Sequence, residues 1–381
     1  MLSFPRILFI FIIAFLSLSL FQRSFPLFHE KPLDGTYVLS DDTNFSFNGW
    51  FSGKYQAHRE KYLNDHFEFR SAFIRCRNQV DFSLYHQFHT QDVVEGKNHF
   101  LFNTWYIDSY KGLDFIGSRK IIDKVSKLKI LQDTLAKHNK VLLVVFSPSK
   151  DLYAPENLPE GIQKGDSTNY ALFEKTAKEK GLIHIDFENY FIKLKQTVQY
   201  PLFPAYGSHW SYYGACVAGD SIISALEGLS KTKIPHYPWR NSVLVSKAEG
   251  DELELSNEIN IFSGFPKETL AHPLIKDTIN PKQKRPSVLI IGDSYILNLE
   301  AHYNLMSSFS SYKFCYYFKT VYTLGTDKSI DASNLDLHDA IDKADMIIVE
   351  STEINLGKIG WGFTEAACKA FGIDSNQSKI N

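Results

Sequence analysis

Three short, almost wholly apolar runs constrain the fold of this chain more than any other feature. They are VLLVVFS at Val141–Ser147, SVLIIGDS at Ser287–Ser294 and DMIIVES at Asp345–Ser351. Strands of this composition are buried on both faces, as in parallel sheets. Segments with helical periodicity alternate with them, such as the one from Ile121 to Leu135. The sequence therefore predicts an α/β fold whose mostly parallel sheet is covered by helices on both faces.

The N-terminus carries an uncharged apolar run, Ile7–Phe21, directly after Arg6. A helix that spans a bilayer needs about 20 apolar residues, so this run is short and fits a signal peptide or a short signal anchor. We expect the remaining chain to be periplasmic or otherwise extracytoplasmic, either anchored to the inner membrane or released. The predicted domains are a signal segment at 1–23, a helical and hairpin extension at 24–112, and an α/β domain at 113–381 with an insertion at about 230–286.

Charge and cysteine content exclude several classes of function. The 41 Lys and Arg residues nearly balance the 43 Asp and Glu residues, which argues against nucleic acid as a partner. The four cysteines lie far apart and form no CxxC pair, so the sequence predicts neither a zinc site nor a dithiol redox motif. Both a single disulfide and buried free thiols remain open for Cys76, Cys216, Cys315 and Cys368.

Two residues are candidates for nucleophilic chemistry. Ser294 follows a buried strand within a Gly-Asp-Ser turn, which places it at the carboxyl edge of the sheet, where α/β proteins bind ligands. Backbone N–H groups of the helix that follows can face a developing oxyanion there. His209, in AYGSHWSYYGA, also lies between a predicted strand and a helix. Each residue alone is equally explained by turn or packing chemistry, but together they predict a serine activated by a histidine.

Five segments of the chain, in order, carry a resemblance to a known family. They are YLNDHFEFR (Tyr62–Arg70), DVVEGKNHFLF (Asp92–Phe102), SPSKDLYAPENLP (Ser147–Pro159), GSHWSYYGA (Gly207–Ala215) and GDSY (Gly292–Tyr295). The chain resembles the SGNH-hydrolase-like periplasmic polysaccharide O-acetyltransferases of the alginate type, in which the histidine also precedes the serine. The resemblance implies that Ser294 carries an acetyl group onto hydroxyls of an exported polysaccharide. It further implies a membrane-embedded acyltransferase as acetyl donor, and no metal or organic cofactor.

The chain departs from the family at the acid that orients the histidine. Members of the family usually have the motif Asp-x-His-Trp, and in this chain Gly207 occupies the position of the aspartate. We predict Glu350, at the end of the strand DMIIVE, as the replacement. The alternatives are Glu353, a backbone carbonyl, a true Ser-His dyad or a catalytically weak protein. Loss of such an acid costs about 10⁴-fold in turnover when the tautomer is wrong.

Three further residues are assigned to substrate binding: Lys150, Trp210 and Tyr295. A solvated loop position is the alternative for Lys150, and core packing is the alternative for Trp210. Two alternatives to the transferase also remain at this point. One is a carbohydrate O-acetylesterase, because water competes with a sugar hydroxyl for the same acyl-enzyme. The other is a non-catalytic polysaccharide-binding or assembly subunit, which the glycine at position 207 would explain.

Overall fold

The computed structural model of the chain describes residues 3–35, 38–239, 241–246, 248–276, 284–323, 326 and 328–372. Part of the predicted insertion, residues 277–283, therefore lies outside the described residues. The chain divides into two compact units, residues 1–93 with 256–265 and residues 94–255 with 266–381. The first unit is helical and the second contains the α/β sheet.

The helices of the first unit are α1 (Phe4–Ser24), α2 (Phe47–Phe51), α3 (Lys54–Asp65) and α4 (Arg70–Tyr85). Of the helices in the described part of the chain, α1 is the one that is long and apolar enough to cross a membrane, judged by length and composition. At 1.5 Å per residue its 21 residues span about 30 Å, the thickness of a bilayer core. The helix extends beyond the apolar run at both ends.

The second unit contains the other elements of the chain. Its helices, with α11 crossing into the first unit, are α5 (Thr104–Tyr110), α6 (Ser118–Lys137), α7 (Lys150–Tyr153), α8 (Asn169–Glu179), α9 (Phe187–Leu194), α10 (Tyr212–Ser230), α11 (Glu254–Glu258), α12 (Ser294–Tyr303), α13 (Leu337–Lys343) and α14 (Phe363–Ala370). Its strands, with β1 beginning at the boundary, are β1 (Val93–Glu95), β2 (Leu101–Asn103), β3 (Val141–Ser147), β4 (His184–Asp186), β5 (Ser242–Val245), β6 (Leu270–Pro273), β7 (Ser287–Gly292), β8 (Ser311–Tyr316), β9 (Thr320–Thr323), β10 (Ile330–Asp331) and β11 (Met346–Thr352).

The division between the units falls earlier than the boundary predicted at residue 112. Strand β2 and helix α5 belong to the α/β unit because their apolar side chains join its core. Phe102, Ile107 and Tyr110 are all buried in the cluster formed by β3 and α6. Strand β2 and helix α5 therefore pack into the core of the α/β unit.

The central sheet has seven strands in the order β10-β9-β8-β7-β11-β3-β4. Strands β8, β7, β11, β3 and β4 are parallel, and β9 and β10 continue the sheet in antiparallel fashion. Strands β5 and β6 form a separate antiparallel ribbon. This topology confirms the predicted α/β fold with a mostly parallel sheet.

Helices cover both faces of the sheet, as the apolar strands predict. In β3, Leu142, Val144 and Phe146 belong to the core cluster that contains α6 and α8, whereas Leu143 and Val145 belong to the one that contains α10 and α12. All five are almost fully buried. Alternate residues of a strand point to opposite faces, so burial of every residue requires cover on both sides.

The four cysteines are free thiols in the structure. Cys216, Cys315 and Cys368 are buried, and Cys76 is exposed. Three of them therefore pack as small apolar side chains, which is the second of the two alternatives left open by the sequence.

Candidate active site

Ser294 and His209 meet at the carboxyl edge of the sheet. Ser294 is the first residue of α12, immediately after β7, and Asp293 caps that helix by accepting a hydrogen bond from Tyr295 N at 3.1 Å. His209 lies in the loop before α10, which begins after the capping residue Ser211. The distance between His209 Nε2 and Ser294 Oγ is 2.9 Å. The structure thus brings the two residues into direct hydrogen-bonding contact.

The third member of this arrangement is Glu254, a residue that sequence reasoning missed. Its Oε2 lies 2.9 Å from His209 Nδ1. Its Oε1 accepts hydrogen bonds from Ser208 N at 3.1 Å and from the Ser208 hydroxyl. Ser294, His209 and Glu254 are all partly exposed, while most residues around them are buried. The three side chains form a Ser-His-Glu triad that is open to solvent.

The electrostatics of the triad favour a basic histidine. Burial disfavours the charged imidazolium, but the negative charge and the hydrogen bond of Glu254 outweigh it, so the pKa of His209 is raised above its usual value of 6.5. The Glu254 carboxylate also fixes the tautomer, because Nδ1 must carry the proton that it donates to Oε2. Nε2 is then free to accept the proton of Ser294.

The sequence of this chain matches one described family over more than half its length. Residues 93–310 match the family described as SGNH hydrolase-like domain, acetyltransferase AlgX. The chain belongs to the AlgX family of SGNH hydrolase-like acetyltransferases. The predicted resemblance and the predicted acetyltransferase are thereby confirmed, and the esterase and non-catalytic alternatives are not favoured.

The solved structures that are similar to this chain are distant from it in sequence. The O-acetyltransferase domain of Pseudomonas putida AlgJ is 19% identical, with 70% of this chain and 92% of that chain covered and a TM-score of 0.45. Pseudomonas aeruginosa AlgX is 15% identical, with 70% and 57% covered and a TM-score of 0.40. Bacillus cereus PatB1 with a sulfonyl adduct is 12% identical, with 70% and 97% covered and a TM-score of 0.46. No curated protein matches the chain.

Gly207 shows why this member of the AlgX family lacks the expected aspartate. A Cβ atom at position 207 would lie 2.5 Å from Asp251 O and 3.0 Å from Glu252 Cα. Backbone atoms cannot yield as the end of a flexible side chain can. The segment that delivers Glu254 therefore occupies the space that a side chain at position 207 would need.

The segment Glu249–Glu254, which carries the triad acid, is bound to helices α10 and α12 by hydrogen bonds to its other carboxylates. Asp251 accepts hydrogen bonds from Asn298 and, at 3.1 Å, from His302 Nε2, both on α12. Glu252 accepts from Tyr212 N at 3.2 Å and from His272 Nε2 at 2.8 Å. The Tyr212 ring stacks on both histidine rings.

In the described part of the chain, no group of three or more His, Cys, Asp or Glu side chains is arranged to hold a metal ion.

Glu350, predicted to orient His209, has a different place in the structure. It is fully buried, and its Oε2 accepts a hydrogen bond from Asp293 N at 3.0 Å. Burial and the nearby Asp293 raise the pKa of Glu350 well above its usual range. The prediction was wrong because β11 pairs with β7, and its last residues face the Gly292–Asp293 turn rather than the histidine loop. Glu353, the alternative, is also buried, with Ser149 and Asp151 as neighbours.

The three residues assigned to substrate binding are structural. Trp210 and Tyr295 are 0% exposed, and Lys150 is 3% exposed. Trp210 packs against Phe187 and Tyr295, and the Tyr295 hydroxyl donates to Ser208 O at 3.1 Å. The assignment to substrate binding is therefore corrected, since all three side chains are buried and contact other groups of the protein.

Tyr317 is a second residue that sequence reasoning did not single out. Burial raises the pKa of the Tyr317 hydroxyl, and the nearby Ser294 side chain acts in the opposite direction. Tyr317 lies in the tight turn between β8 and β9, with φ at +50°, and its backbone N donates to Gly292 O at 2.9 Å. Its ring packs on Trp361 at 5.1 Å, and both rings are partly exposed. Unlike the buried rings of Trp210 and Tyr295, the Tyr317 ring is therefore partly exposed near Ser294.

Proposed function

We propose that this AlgX-family chain transfers acetyl groups to hydroxyls of an exported polysaccharide through an acetyl ester on Ser294. The observation that carries the proposal is His209, which bridges Ser294 Oγ and Glu254 Oε2 at 2.9 Å on each side. The family supplies the reaction type, acetyl transfer. The polysaccharide acceptor follows from the resemblance to the alginate-type enzymes.

In the first half-reaction, Ser294 attacks the carbonyl carbon of the acetyl donor. His209 Nε2 takes the hydroxyl proton as the new C–O bond forms, and Glu254 stabilises the resulting imidazolium through Nδ1. The Ser294 backbone N–H at the start of α12 and the Tyr317 hydroxyl are the donors that we assign to the oxyanion. Collapse of the tetrahedral intermediate breaks the bond to the leaving group, which takes the proton from His209.

In the second half-reaction, a sugar hydroxyl takes the place of the leaving group. His209 Nε2 removes its proton while its oxygen attacks the acetyl carbon of the ester on Ser294. The intermediate then releases Ser294 Oγ, which recovers a proton from His209. Atoms and charges balance over the cycle, and the same triad serves both halves without a change of protonation between turnovers.

The N-terminal helix supports an extracytoplasmic location. Helix α1 has the length and apolarity of a membrane span, and we propose that it anchors the chain in the inner membrane with the α/β unit in the periplasm. A membrane-embedded acyltransferase would then supply the acetyl group, and the polysaccharide would receive it on the same side. Reporter fusions placed after Lys54 test this topology, since activity of a cytoplasm-specific reporter would contradict it.

The decisive experiment follows the acetyl group by mass. The full chain is incubated with p-nitrophenyl acetate, with and without an oligosaccharide acceptor, and both protein and oligosaccharide masses are measured. We expect one acetyl group on the protein that maps to Ser294 and moves to the acceptor when it is present. Ser294→Ala should carry none, whereas Ser310→Ala, at the opposite edge of the sheet, should behave as the native chain does. Acetylation of Ser294→Ala at the native rate would refute the proposal.

A further inference from the structure

A buried charged residue that the mechanism does not use lies beside the triad. The Lys150 ammonium is 3% exposed and donates hydrogen bonds to three backbone carbonyls. They are Leu101 O at 2.7 Å, Ala205 O at 2.7 Å and Gly207 O at 2.8 Å. Two of these carbonyls belong to the loop that ends in His209. The side chain thus links α7 and strand β2 to the histidine loop.

A second charged residue, Glu268, also binds the backbone of this loop. Both carboxylate oxygens of Glu268 accept hydrogen bonds from Ala205 N, at 3.0 Å and 2.9 Å. Ala205 O also accepts from Leu101 N at 2.9 Å. Ala205 is therefore held at its N–H by Glu268 and at its carbonyl by Lys150. Ala205 lies outside the helices and strands, so these hydrogen bonds, and not regular secondary structure, hold its backbone in place.

The hydrogen bonds define the charge state of this pair. Three carbonyl acceptors around Nζ require three N–H donors, which only the ammonium form of Lys150 supplies. Burial lowers the pKa of Lys150 to about 7, and the negative charges of Glu268 and Glu254 act in the opposite direction. Burial raises the pKa of Glu268 to about 7, and the bond from Ala205 N and the charge of Lys150 oppose that rise. Each ionised group therefore depends on the other and on the loop between them.

We infer that Lys150 and Glu268 are positioning residues that set the distance between His209 and Ser294. This inference rests on the proposed function of the triad. Gly207 O, which Lys150 holds, is two residues from the imidazole, and the loop between them contains no helix or strand to fix it. A displacement of about 1 Å at a reacting group costs about 100-fold in rate. Neither residue contacts the substrate, so their effect is expected on the rate of the chemical step.

The test compares two lysines that both bind backbone carbonyls. Lys150→Met removes the three donors beside the triad. Lys140→Met removes donors to Asp342 O and Ala344 O at the opposite edge of the sheet. Acylation by p-nitrophenyl acetate is measured across pH, together with urea unfolding. We expect Lys150→Met to lower the acylation rate constant at saturating ester by about 100-fold, with KM changed by less than about 2-fold. Lys140→Met should remain within about 2-fold of the native rate per folded molecule.

A folding defect in Lys150→Met does not leave the inference untested. In the double variant Lys150→Met/Glu268→Gln, no partly buried carboxylate at position 268 is left without its cation, and the amide oxygen can still accept from Ala205 N. The folded double variant should show the same loss of rate. Native acylation by either folded variant would overturn the inference, while loss of acylation in Ser294→Ala would leave the proposed function intact. Native acylation by Ser294→Ala would instead overturn the proposed function.

Discussion

Glu254 and Gly207 are two parts of one arrangement in which the triad acid comes from a distant segment. Glu254 Oε2 lies 2.9 Å from His209 Nδ1, and the backbone that delivers it would lie 2.5 Å from a Cβ at position 207. The acid is 45 residues away from the histidine in the sequence. The glycine is therefore required by the acid, and it does not mark a lost active site.

Gly207→Ala is expected to weaken both folding and catalysis. Its new methyl group would meet the backbone of Asp251 and Glu252, and overpacking of this kind costs about 1–3 kcal/mol. Displacement of the segment should also draw Glu254 away from His209 and slow acylation. Urea unfolding and acylation by p-nitrophenyl acetate measure the two effects.

The matched control for this substitution is Gly228→Ala. Gly228 lies within α10, and a Cβ there would meet nothing within 4 Å. That change should raise the free energy of unfolding by about 0.5–1 kcal/mol and leave acylation unchanged. The same reasoning predicts that Gly207→Asp will not rescue Glu254→Ala, because the aspartate has no space. A rescued or undiminished rate would show that the segment moves freely.

Glu254→Gln is expected to lower turnover by about 10⁴-fold, the loss typical when a triad acid becomes an amide and the histidine adopts the wrong tautomer. Glu350→Gln is the control, because that buried carboxyl group contacts Asp293 N and the amide oxygen of glutamine can still accept the same hydrogen bond. Its turnover should stay close to the native value. A large loss in Glu350→Gln with little loss in Glu254→Gln would exchange the roles assigned to the two residues.

The pH dependence of the residual activity provides an independent check on Glu254. His209 must be neutral to accept a proton, so acylation by the native chain should rise with pH through a pKa above 6.5. Without the charge of Glu254, that pKa should fall, and the acid limb of the profile should move to lower pH. The contribution of the His209–Glu254 pair to folding stability also depends on the raised pKa of His209, because the pair stabilises the fold when the imidazole is protonated. This contribution is complete below pH 6.5 and is lost as pH rises through the raised pKa of His209.

His302→Leu is expected to loosen the segment Glu249–Glu254. The substitution removes the donor to Asp251 and the ring that stacks on Tyr212, which should cost about 1–3 kcal/mol of folding free energy. Acylation per folded molecule should also fall, because Glu254 is three residues from Asp251. His236→Leu breaks a comparable contact, 2.6 Å from Asp220 Oδ1, elsewhere in the unit. It should lower stability without changing acylation, and an equal loss of rate in both variants would argue against a specific link.

Tyr317→Phe removes the hydroxyl that we assign to the oxyanion. Loss of one oxyanion donor costs about 10²–10³-fold in rate, and the effect should fall on kcat rather than KM. Tyr322→Phe, on the neighbouring strand β9, is the control and should leave kcat unchanged. If Tyr317→Phe retains the native kcat, the Tyr317 hydroxyl is not an oxyanion donor, and of the two assigned donors only the backbone N–H of Ser294 remains.

The sequence allowed the sheet and two members of the triad to be predicted because each follows from local pattern. Runs such as VLLVVFS are strands buried on both faces, and their carboxyl ends meet at one edge, which brings Ser294 and His209 together. Glu254 could not be found in this way, because it lies in a polar segment without periodicity and its contact with His209 is tertiary. The acidic run GDELE was the one available signal. Glu350 was misassigned because edge position does not determine which neighbour a side chain faces.

The origin of the acid in a separate segment has a consequence for how this family diverges. A relative with an aspartate at the position of Gly207 has no room for a segment packed as Asp251 and Glu252 are here. We therefore expect a relative to have either an aspartate at the position of Gly207 or a glutamate-bearing segment that corresponds to Glu249–Glu254, but not both. An alignment should show them as a covarying pair separated by more than forty residues, with glycine tracking the segment. If the two acids exclude each other, a lineage that changes from one to the other must pass through a chain that has neither acid. The alternative is an insertion that displaces the aspartate and supplies the glutamate in the same step.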